Sequence, residues 1–433
     1  MISTRLKPVA IAGVSAAIMT SAIAYATHLA APDDSAERPA SAVADTARAN
    51  GPAASPGTEQ SPAGQAPAAD DRGPDKAATD TGDKPRPMDK KATDTFAHIA
   101  DQVLAERTQA LVEEGRVSHG SGKPELKAEL SAKLQKEEAA ALDSLRSRRT
   151  VLARLGEQYS AADTRVSVDQ ATVAGSEATV RVTERTVLTY KKVRGNEPQT
   201  TDSTTRYELR LSWDKKRNCW LLNLIRPQET GGPISINEPT PVPRPTVTDD
   251  GQQYPTAKTA STQWPAPASR PKALSGGAYD YRAMAQYAEK HWKSYNPAYR
   301  NQKAGGDCTN FTSQALLAGG WKPVPGSDTD YRNWWYDAAK GQSQSWVGAN
   351  EWSWFTLSNQ RTAHLANVFQ ADIGDIVQMD FNKDGSKDHS MIVTYKDRAG
   401  MPYLTYHSTD TYRRSLASII ASYPTADYFA YRT

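Results

Sequence analysis

The stretch GGDCTNFTSQ at residues 305–314 decides how the C-terminal part of this chain is interpreted. Asp307 is a good helix N-cap, and the residues from Cys308 onward follow the pattern of the first turns of a helix. Unpaired amide groups give a helix N-terminus a partial positive charge, which favours a thiolate and lowers the pKa of a thiol. The sequence therefore predicts a nucleophilic Cys308 at the start of a helix that Asp307 caps.

Helix and strand patterns on both sides of this stretch outline a C-terminal domain over residues 276–433. An amphipathic helix is predicted over 279–292, and Gly319-Gly320 ends the Cys308 helix. Strands are predicted over 374–380, 389–395 and 403–407. Helices followed by a small antiparallel sheet make a papain-like layout.

This region resembles the putative amidase domain family, which is related to the papain-like CHAP and NlpC-type cell-wall hydrolases. The resemblance rests on DCTNFTSQALLAGGW at 307–321, Gly374-Asp375 and DHS at 388–390. It implies a thiol-dependent hydrolase that cuts an amide bond through a thioester, either as a peptidoglycan amidase or as an endopeptidase. The alternative is a non-catalytic cell-wall-binding module with the same fold.

The resemblance and the chemistry together assign roles to the site residues. Cys308 would be the nucleophile, and its backbone N–H would contribute to an oxyanion hole. His389, which opens a strand, matches the family's second motif and would carry the thiol proton to the leaving amine. His407 would orient the imidazole of His389, with Asp410 as the alternative third member, since a carboxylate better stabilises an imidazolium.

The N-terminal residues predict export. Arg5 and Lys7 precede an apolar run over 9–24 and an A-x-A site, which is the pattern of a secretory signal peptide over residues 1–26. An uncleaved anchor is the alternative. Residues 27–93 are rich in Ala, Pro, Asp and Gly and are predicted to be a disordered spacer. We expect a secreted, extracellular protein associated with the cell wall, with no stable membrane span once the signal is cleaved.

The middle of the chain predicts an α+β accessory domain over residues 94–230. Helices are predicted from about Thr95 and from about Pro124 towards Leu155, and the last strand pair resembles the closing hairpin of a nuclear-transport-factor-like cone. A Pro-rich stretch over 231–275 is predicted to be a semi-rigid linker. The predicted accessory strands cover residues 165–168, 178–182, 186–190, 206–211 and 220–224.

The cysteine content and the net charge bear on two other possibilities, a structural disulfide and nucleic-acid binding. Cys219 is the second of two cysteines, so a Cys219–Cys308 disulfide is the alternative to a reactive thiol in an exported protein. The net charge is +3 with both signs interspersed, which gives no electrostatic footprint for nucleic-acid binding. We expect a monomer whose partner is peptidoglycan or a peptide substrate.

Two smaller patterns concern ligands. Asp380, Asn382 and Asp384 follow the opening of a calcium loop, but Met391 stands at the twelfth position where a bidentate acid is needed. A polar hairpin turn explains the pattern more simply, so no cofactor is expected and Ca²⁺ is the alternative. The tryptophans either line a substrate groove or fill the core, and we expect at least half in the core: Trp334, Trp335, Trp346, Trp352 and Trp354.

Overall fold

The computed structural model describes residues 90–120, 128–228, 234–240, 253–301 and 306–433. The predicted signal peptide (1–26) and most of the predicted spacer (27–93) lie outside these ranges, and residues 90–93 belong to the first helix. Within the described residues the protein is a mixed α/β structure with seven α-helices and a large, mostly antiparallel sheet, which confirms the predicted class at that level. None of the helices described is long and apolar enough to cross a bilayer.

The N-terminal module combines two helices with a meander of long strands. Its elements, in chain order, are α1 (Lys90–Leu111), β1 (Val112–His119), β2 (Ala128–Leu130), α2 (Ala132–Arg154), β3 (Tyr159–Ala174), β4 (Glu177–Tyr190), β5 (Thr200–Asp214) and β6 (Cys219–Pro227). Strands β3 to β6 pair antiparallel with their chain neighbours, while β1 runs parallel to β3 and β2 parallel to β6. One face of this sheet packs on α1, where Phe96 and Leu104 meet Val180 and Leu209.

Strand β4 replaces two predicted strands. Every second residue from Ala178 to Tyr190 is buried, which is the period of a strand with one face in the core. The two predicted strands, 178–182 and 186–190, leave out the charged Glu184 between them. Its carboxylate is buried and accepts hydrogen bonds from Thr186 and Asn237, so the strand continues through it.

The C-terminal module carries the predicted Cys308 helix and its sheet. A 3₁₀ turn covers Val368–Gln370. The other elements are α3 (Tyr281–His291), α4 (Cys308–Ala318), β7 (Tyr336–Asp337), β8 (Gly341–Gln342), α5 (Gln344–Val347), α6 (Ala349–Ser358), β9 (Ala363–His364), β10 (Ile376–Asp380), β11 (His389–Lys396), β12 (Pro402–Tyr406), β13 (Asp410–Ser415), α7 (Leu416–Ser422) and β14 (Asp427–Arg432).

The C-terminal sheet has a different helix layer on each face. Its strand order is β13-β12-β11-β10-β14-β9, with antiparallel neighbours. Ile376 and Ile392 lie in the same apolar cluster as Phe311 of α4. Met391, one residue before Ile392, lies in the cluster that contains Leu416 of α7. Successive strand residues therefore point to α4 and α7 in turn.

The two modules share one sheet. Strand β13 pairs antiparallel with the first part of β5, with Asp410 opposite Thr204 and Tyr412 opposite Asp202. The later part of β5 pairs with β6 along the same edge. We call the β5–β13 pairing the seam.

The described parts of the Pro-rich stretch pack onto both modules. Ile236 is buried in the cluster that contains Leu416, and Arg148 of α2 donates to the carbonyl oxygen of Ile236 at 2.5 Å. Farther along, the Ala260 N–H donates to the Tyr428 carbonyl at 2.7 Å. Hydrogen bonds thus hold Ile236 and Ala260 of the Pro-rich stretch in place. The domain boundaries proposed from the sequence stay predictions.

Candidate active site

Cys308 is the first residue of α4, as the sequence predicts. Phe311, Ala315 and Leu316 anchor the helix in the same cluster as Met284 of α3. The Cys308 side chain is 6% exposed, and both Cys308 and Cys219 are free thiols, so the alternative disulfide is not formed. The helix N-terminus therefore presents an unbridged thiol.

Burial outweighs the helix N-terminus in setting the state of this thiol. Burial raises the pKa of Cys308 and is the largest influence on it. The backbone of Ser390 and then the side chain and backbone of Thr309 lower the pKa, and the charge of Asp307 raises it by the smallest of these amounts. The net pKa is raised, in contrast to the depressed value expected from helix position alone, because desolvation disfavours the thiolate.

The start of α4 touches the start of β11. Thr309 Oγ1 lies 2.9 Å from Ser390 Oγ and 3.7 Å from the Cys308 sulfur. Gln378 Nε2 of β10 donates to the same Ser390 Oγ at 2.9 Å. A direct hydrogen bond therefore joins α4 and β11 through Thr309 and Ser390. Cys308 immediately precedes Thr309, and His389 immediately precedes Ser390.

His389 is the first residue of β11 and is fully buried. Its ring makes an edge contact with Tyr406, with centroids 5.2 Å apart. Because Ser390 faces α4, side-chain alternation puts His389 on the other face of the sheet, together with Met391. The structure brings the backbone at His389 to the Cys308 helix, and the catalytic role of its ring stays a prediction.

His407 lies just past the end of β12, on the α4 side. Its Nδ1 is 2.7 Å from Asp307 Oδ2, and its Nε2 is 3.0 Å from the carbonyl oxygen of His291. The rings of Phe311 and Tyr295 stack on it at centroid distances of 3.9 and 4.0 Å. One ring nitrogen thus contacts Asp307 and the other contacts the end of α3. The predicted role of His407, which is to orient the ring of His389, stays a prediction.

Asp307 does not cap α4 through its side chain, which corrects the expectation from sequence. Its carboxylate binds His407 through one oxygen and accepts from Asn310 Nδ2 at 2.8 Å through the other. The competing partner His407 is a hundred residues away in the chain. Local capping preferences carry no information about it.

A close backbone approach holds the turn after β12 against α4. Gly306 has φ +93°, a conformation that side chains disfavour, and a Cβ there would lie 3.1 Å from Ser408 Oγ. Ser408 itself has φ +87°, which is strained for a residue other than glycine. The Gly306 in the motif is thus explained, whereas Gly305 lies outside the described residues.

Asp410, the alternative third member, begins β13 and borders the same cluster. Its Oδ1 accepts from the Tyr295 hydroxyl at 3.0 Å. Burial raises the pKa of Asp410, and the charge of His407 lowers it. Tyr295 therefore links His407 and Asp410. Sequence reasoning missed it, because a loop tyrosine next to Asn296-Pro297 has no periodic signal.

The two ligand-related patterns have structural explanations. Asp380 accepts from the backbone amides of Lys383 and Gly385 at 2.6 and 2.8 Å, as a polar hairpin turn requires. No group of three or more His, Cys, Asp or Glu side chains in the described ranges could hold a metal ion, and Ca²⁺ at the turn stays an untested alternative. Of the five tryptophans, three are fully buried: Trp334, Trp346 and Trp352.

Comparisons with known proteins concern the C-terminal third. The chain is 34% identical over 139 residues to the uncharacterized protein YhbB of Bacillus subtilis (strain 168), covering 31% of this chain and 43% of that protein. It is 35% identical over 149 residues to the uncharacterized protein YjcM of the same organism, covering 32% and 33%. The chain thus spans less than half the length of these curated relatives.

A solved structure also matches part of the chain. The crystal structure of the intermembrane space region of chloroplast protein ARC6 covers 30% of this chain and 95% of its own, at 19% identity and a TM-score of 0.18. A similarity that low supports no argument about the fold.

A family model covers the region that holds the site. The match includes α3, α4, strand β11 with His389 and the turn after β12 with His407. It supports an amidase-like function for this part of the protein. Residues 278–431 match the family described as a putative amidase domain, as the resemblance in the sequence predicts.

Proposed function

We propose that the C-terminal module is a cysteine amidohydrolase with a papain-like arrangement, in which the Cys308 sulfur attacks an amide carbonyl. The observation that supports this most is the unbridged thiol on the first turn of α4, against the backbone of the His389-Ser390 strand start. Acyl transfer through a thioester needs the nucleophile and the base within hydrogen-bond reach, and the element ends that carry Cys308 and His389 adjoin.

The raised thiol pKa requires a base in the attacking step. Since Cys308 is neutral at rest, its proton must leave as the sulfur–carbon bond forms. We assign this proton to His389, which then donates it to the amine as the carbon–nitrogen bond breaks. Water, deprotonated by the same imidazole, hydrolyses the thioester and regenerates the thiol.

The assignment to His389 places a geometric demand on the enzyme. The ring packs against Tyr406 in this structure, so it must reach the thiol around the end of β11. His407 is the other histidine close to α4, but its two nitrogens already contact Asp307 and His291. We therefore propose His389 as the group that transfers the proton.

The substrate we propose is the peptide part of peptidoglycan, for a protein exported by its N-terminal signal and located at the cell wall. The motif resemblance to cell-wall hydrolases and the signal pattern at residues 1–26 support this. Cleavage at either the sugar–peptide amide or a stem-peptide bond fits the same chemistry.

The test is product analysis on purified muropeptides. We expect the wild-type protein to release peptides or new amino termini that mass spectrometry identifies. Cys308→Ala abolishes release, whereas Cys219→Ala, the matched control in the accessory core, retains it. Equal product from the wild type and Cys308→Ala would remove the thiol from the mechanism.

A second comparison separates the histidines. His389→Ala is expected to lower kcat by at least the 10²-fold typical of a lost general base, about 3 kcal/mol. Nearly full activity in His389→Ala would assign the proton transfer elsewhere.

A further inference from the structure

We propose that His407 is held as a protonated imidazolium that neutralises Asp307 beside the Cys308 thiol, and is a positioning residue that transfers no proton. The inference deepens the proposed function and rests on it only for the reaction that the thiol performs. The charge on the ring and its effect on the thiol can be measured without any substrate.

Hydrogen-bond accounting supports the charge. Nδ1 of His407 faces a carboxylate oxygen of Asp307, and Nε2 faces the carbonyl oxygen of His291. A carbonyl oxygen only accepts hydrogen bonds, and so does an ionised carboxylate. Each ring nitrogen must therefore carry a hydrogen, and an imidazole with two N–H groups is the cation.

The carboxylate of Asp307 is placed to accept hydrogen bonds through both of its oxygens. Its second oxygen accepts from Asn310 Nδ2 at 2.8 Å, and the residue stands at the N-terminus of α4, where negative charge is stabilised. The side chains of His407 and Asp307 are 2% and 4% exposed, so water screens the pair little. Buried charges persist only when they are paired in this way.

Other charged groups around the ring come from β13 and the accessory module. Asp410 lies behind Tyr295, whose hydroxyl it accepts, and His407 lowers the pKa of Asp410. Arg206 of β5 also acts on Asp410. A cation at His407 therefore has a favourable charge interaction with both carboxylates, with Asp307 in direct contact and with Asp410 beyond Tyr295.

The pair has a direct consequence for the nucleophile. Asp307 immediately precedes Cys308, and its charge raises the thiol pKa. The imidazolium offsets that charge. Loss of the cation should therefore raise the thiol pKa, while loss of the carboxylate should lower it. If the substitutions only damaged the packing, the pKa of the Cys308 thiol would change in the same direction in both variants.

The first experiment measures the rate of alkylation of Cys308 by iodoacetamide against pH, in the full-length protein with Cys219→Ala. We expect His407→Gln to shift the midpoint upward and Asp307→Asn to shift it downward. Each shift of about one pH unit changes the thiolate fraction about tenfold. His291→Gln is the matched control, because only its backbone carbonyl contacts His407, and its midpoint should not move.

Shifts of the same sign in His407→Gln and Asp307→Asn, or no shift in either, would overturn the proposal. A second measurement needs no variant. Nitrogen NMR of the ring in the labelled wild-type protein at pH 8 should find hydrogens on both nitrogens of His407. A neutral tautomer would contradict the proposal even if both variants failed to fold. An enzyme inactive on every amide tested would refute the proposed function and leave both results interpretable.

Discussion

The residues around Cys308 share one buried environment. Cys308, His389, His407 and Asp307 all have side chains that water barely reaches. In such surroundings a charge is retained only next to an opposite charge or several donors. The Asp307–His407 pair meets this condition, and the lone thiol does not. The pKa of the Cys308 thiol is therefore raised, and the attack proposed for it needs a base that removes the thiol proton.

The hydroxyl of Thr309 should matter more than its size suggests. It lies 2.9 Å from Ser390 Oγ and lowers the pKa of Cys308. We expect Thr309→Val to raise the alkylation midpoint of Cys308 and to cost about 1–3 kcal/mol of unfolding free energy, since Ser390 loses a buried partner. The measurements are iodoacetamide kinetics against pH and urea unfolding.

Thr312→Val is the control for this substitution. Thr312 is buried in the same helix, but its hydroxyl donates to the helix carbonyl of Thr309 at 3.0 Å. Its alkylation profile should match the wild type. Equal shifts in both variants would assign the effect to α4 as a whole and contradict the specific role of Thr309.

At the scale of elements, sequence patterns located the helices and strands that have a local signal and missed those that depend on partners distant in the sequence. Strands β10, β11 and β12 and helix α4 were predicted near their observed limits, because each has its own period or end signal. Strand β13 and helix α7 were not predicted. Strand β13 contains Arg413-Arg414, which interrupts an apolar alternation and conceals its hairpin with β12, and its other partner β5 lies about two hundred residues earlier. Asp307 is likewise separated from its partner His407 by a hundred residues.

Gly319 shows how an end signal also sets the packing of two helices. It ends α4, and its carbonyl accepts from the Asp280 N–H at 2.9 Å, where α3 begins. A Cβ at Gly319 would lie 2.2 Å from Met284 Cγ and 2.8 Å from the Asp280 carbonyl oxygen. We expect Gly319→Ala to lower the free energy of unfolding by about 1–3 kcal/mol, measured in urea.

Gly320→Ala provides the comparison. Gly320 has φ +97° but open space around it, so its cost is the backbone strain alone, about 1–2 kcal/mol. The two substitutions are thus expected to lower the free energy of unfolding by similar amounts for different reasons. In a Met284→Ala background, Gly319→Ala should therefore cost less than it does in the wild type, whereas Gly320→Ala should cost the same in both. Identical responses would contradict the packing explanation.

At the scale of the whole molecule, a buried polar cluster joins the accessory module to the Pro-rich stretch. Arg107 of α1 binds both Glu138 and Glu238, and Asn237 donates to Glu184 at 2.6 Å. Such clusters require complete pairing, because each unpaired member is costly. The composition of residues 231–275 predicts an extended linker and gives no sign that part of it is buried here.

Glu184 makes the stability of this cluster depend on pH. Burial raises the pKa of Glu184 from 4.5 to about 7, although Thr186 and Asn237 donate to it. The folded protein thus holds the proton more tightly than the unfolded chain. Stability is fully present below pH 4.5 and falls by at most about 3 kcal/mol as the pH rises to 7. Urea unfolding at pH 5 and pH 8 should show this loss in the wild type and a smaller one in Glu184→Gln.

Glu208→Gln is the control for that experiment. Glu208 lies on the neighbouring strand β5, is partly exposed and paired with Arg210 and Arg226, and has a lowered pKa. Its removal should leave the loss between pH 5 and pH 8 as in the wild type. An unchanged loss in Glu184→Gln would mean that another group, such as Glu238, carries the dependence.

The seam predicts that the two modules open together. Asp410 and Tyr412 pair with β5, the Thr201 hydroxyl donates to the Tyr412 carbonyl at 3.1 Å, and Arg414 donates to the Ile234 carbonyl at 2.7 Å. A strand cannot leave such a ladder without exposing its backbone groups on both sides. Native-state hydrogen exchange should therefore give β5 and β13 the same opening free energy, with one unfolding transition in calorimetry. If β13 exchanged at much lower free energy than β5, the C-terminal module would be an independent unit that merely rests against its neighbour.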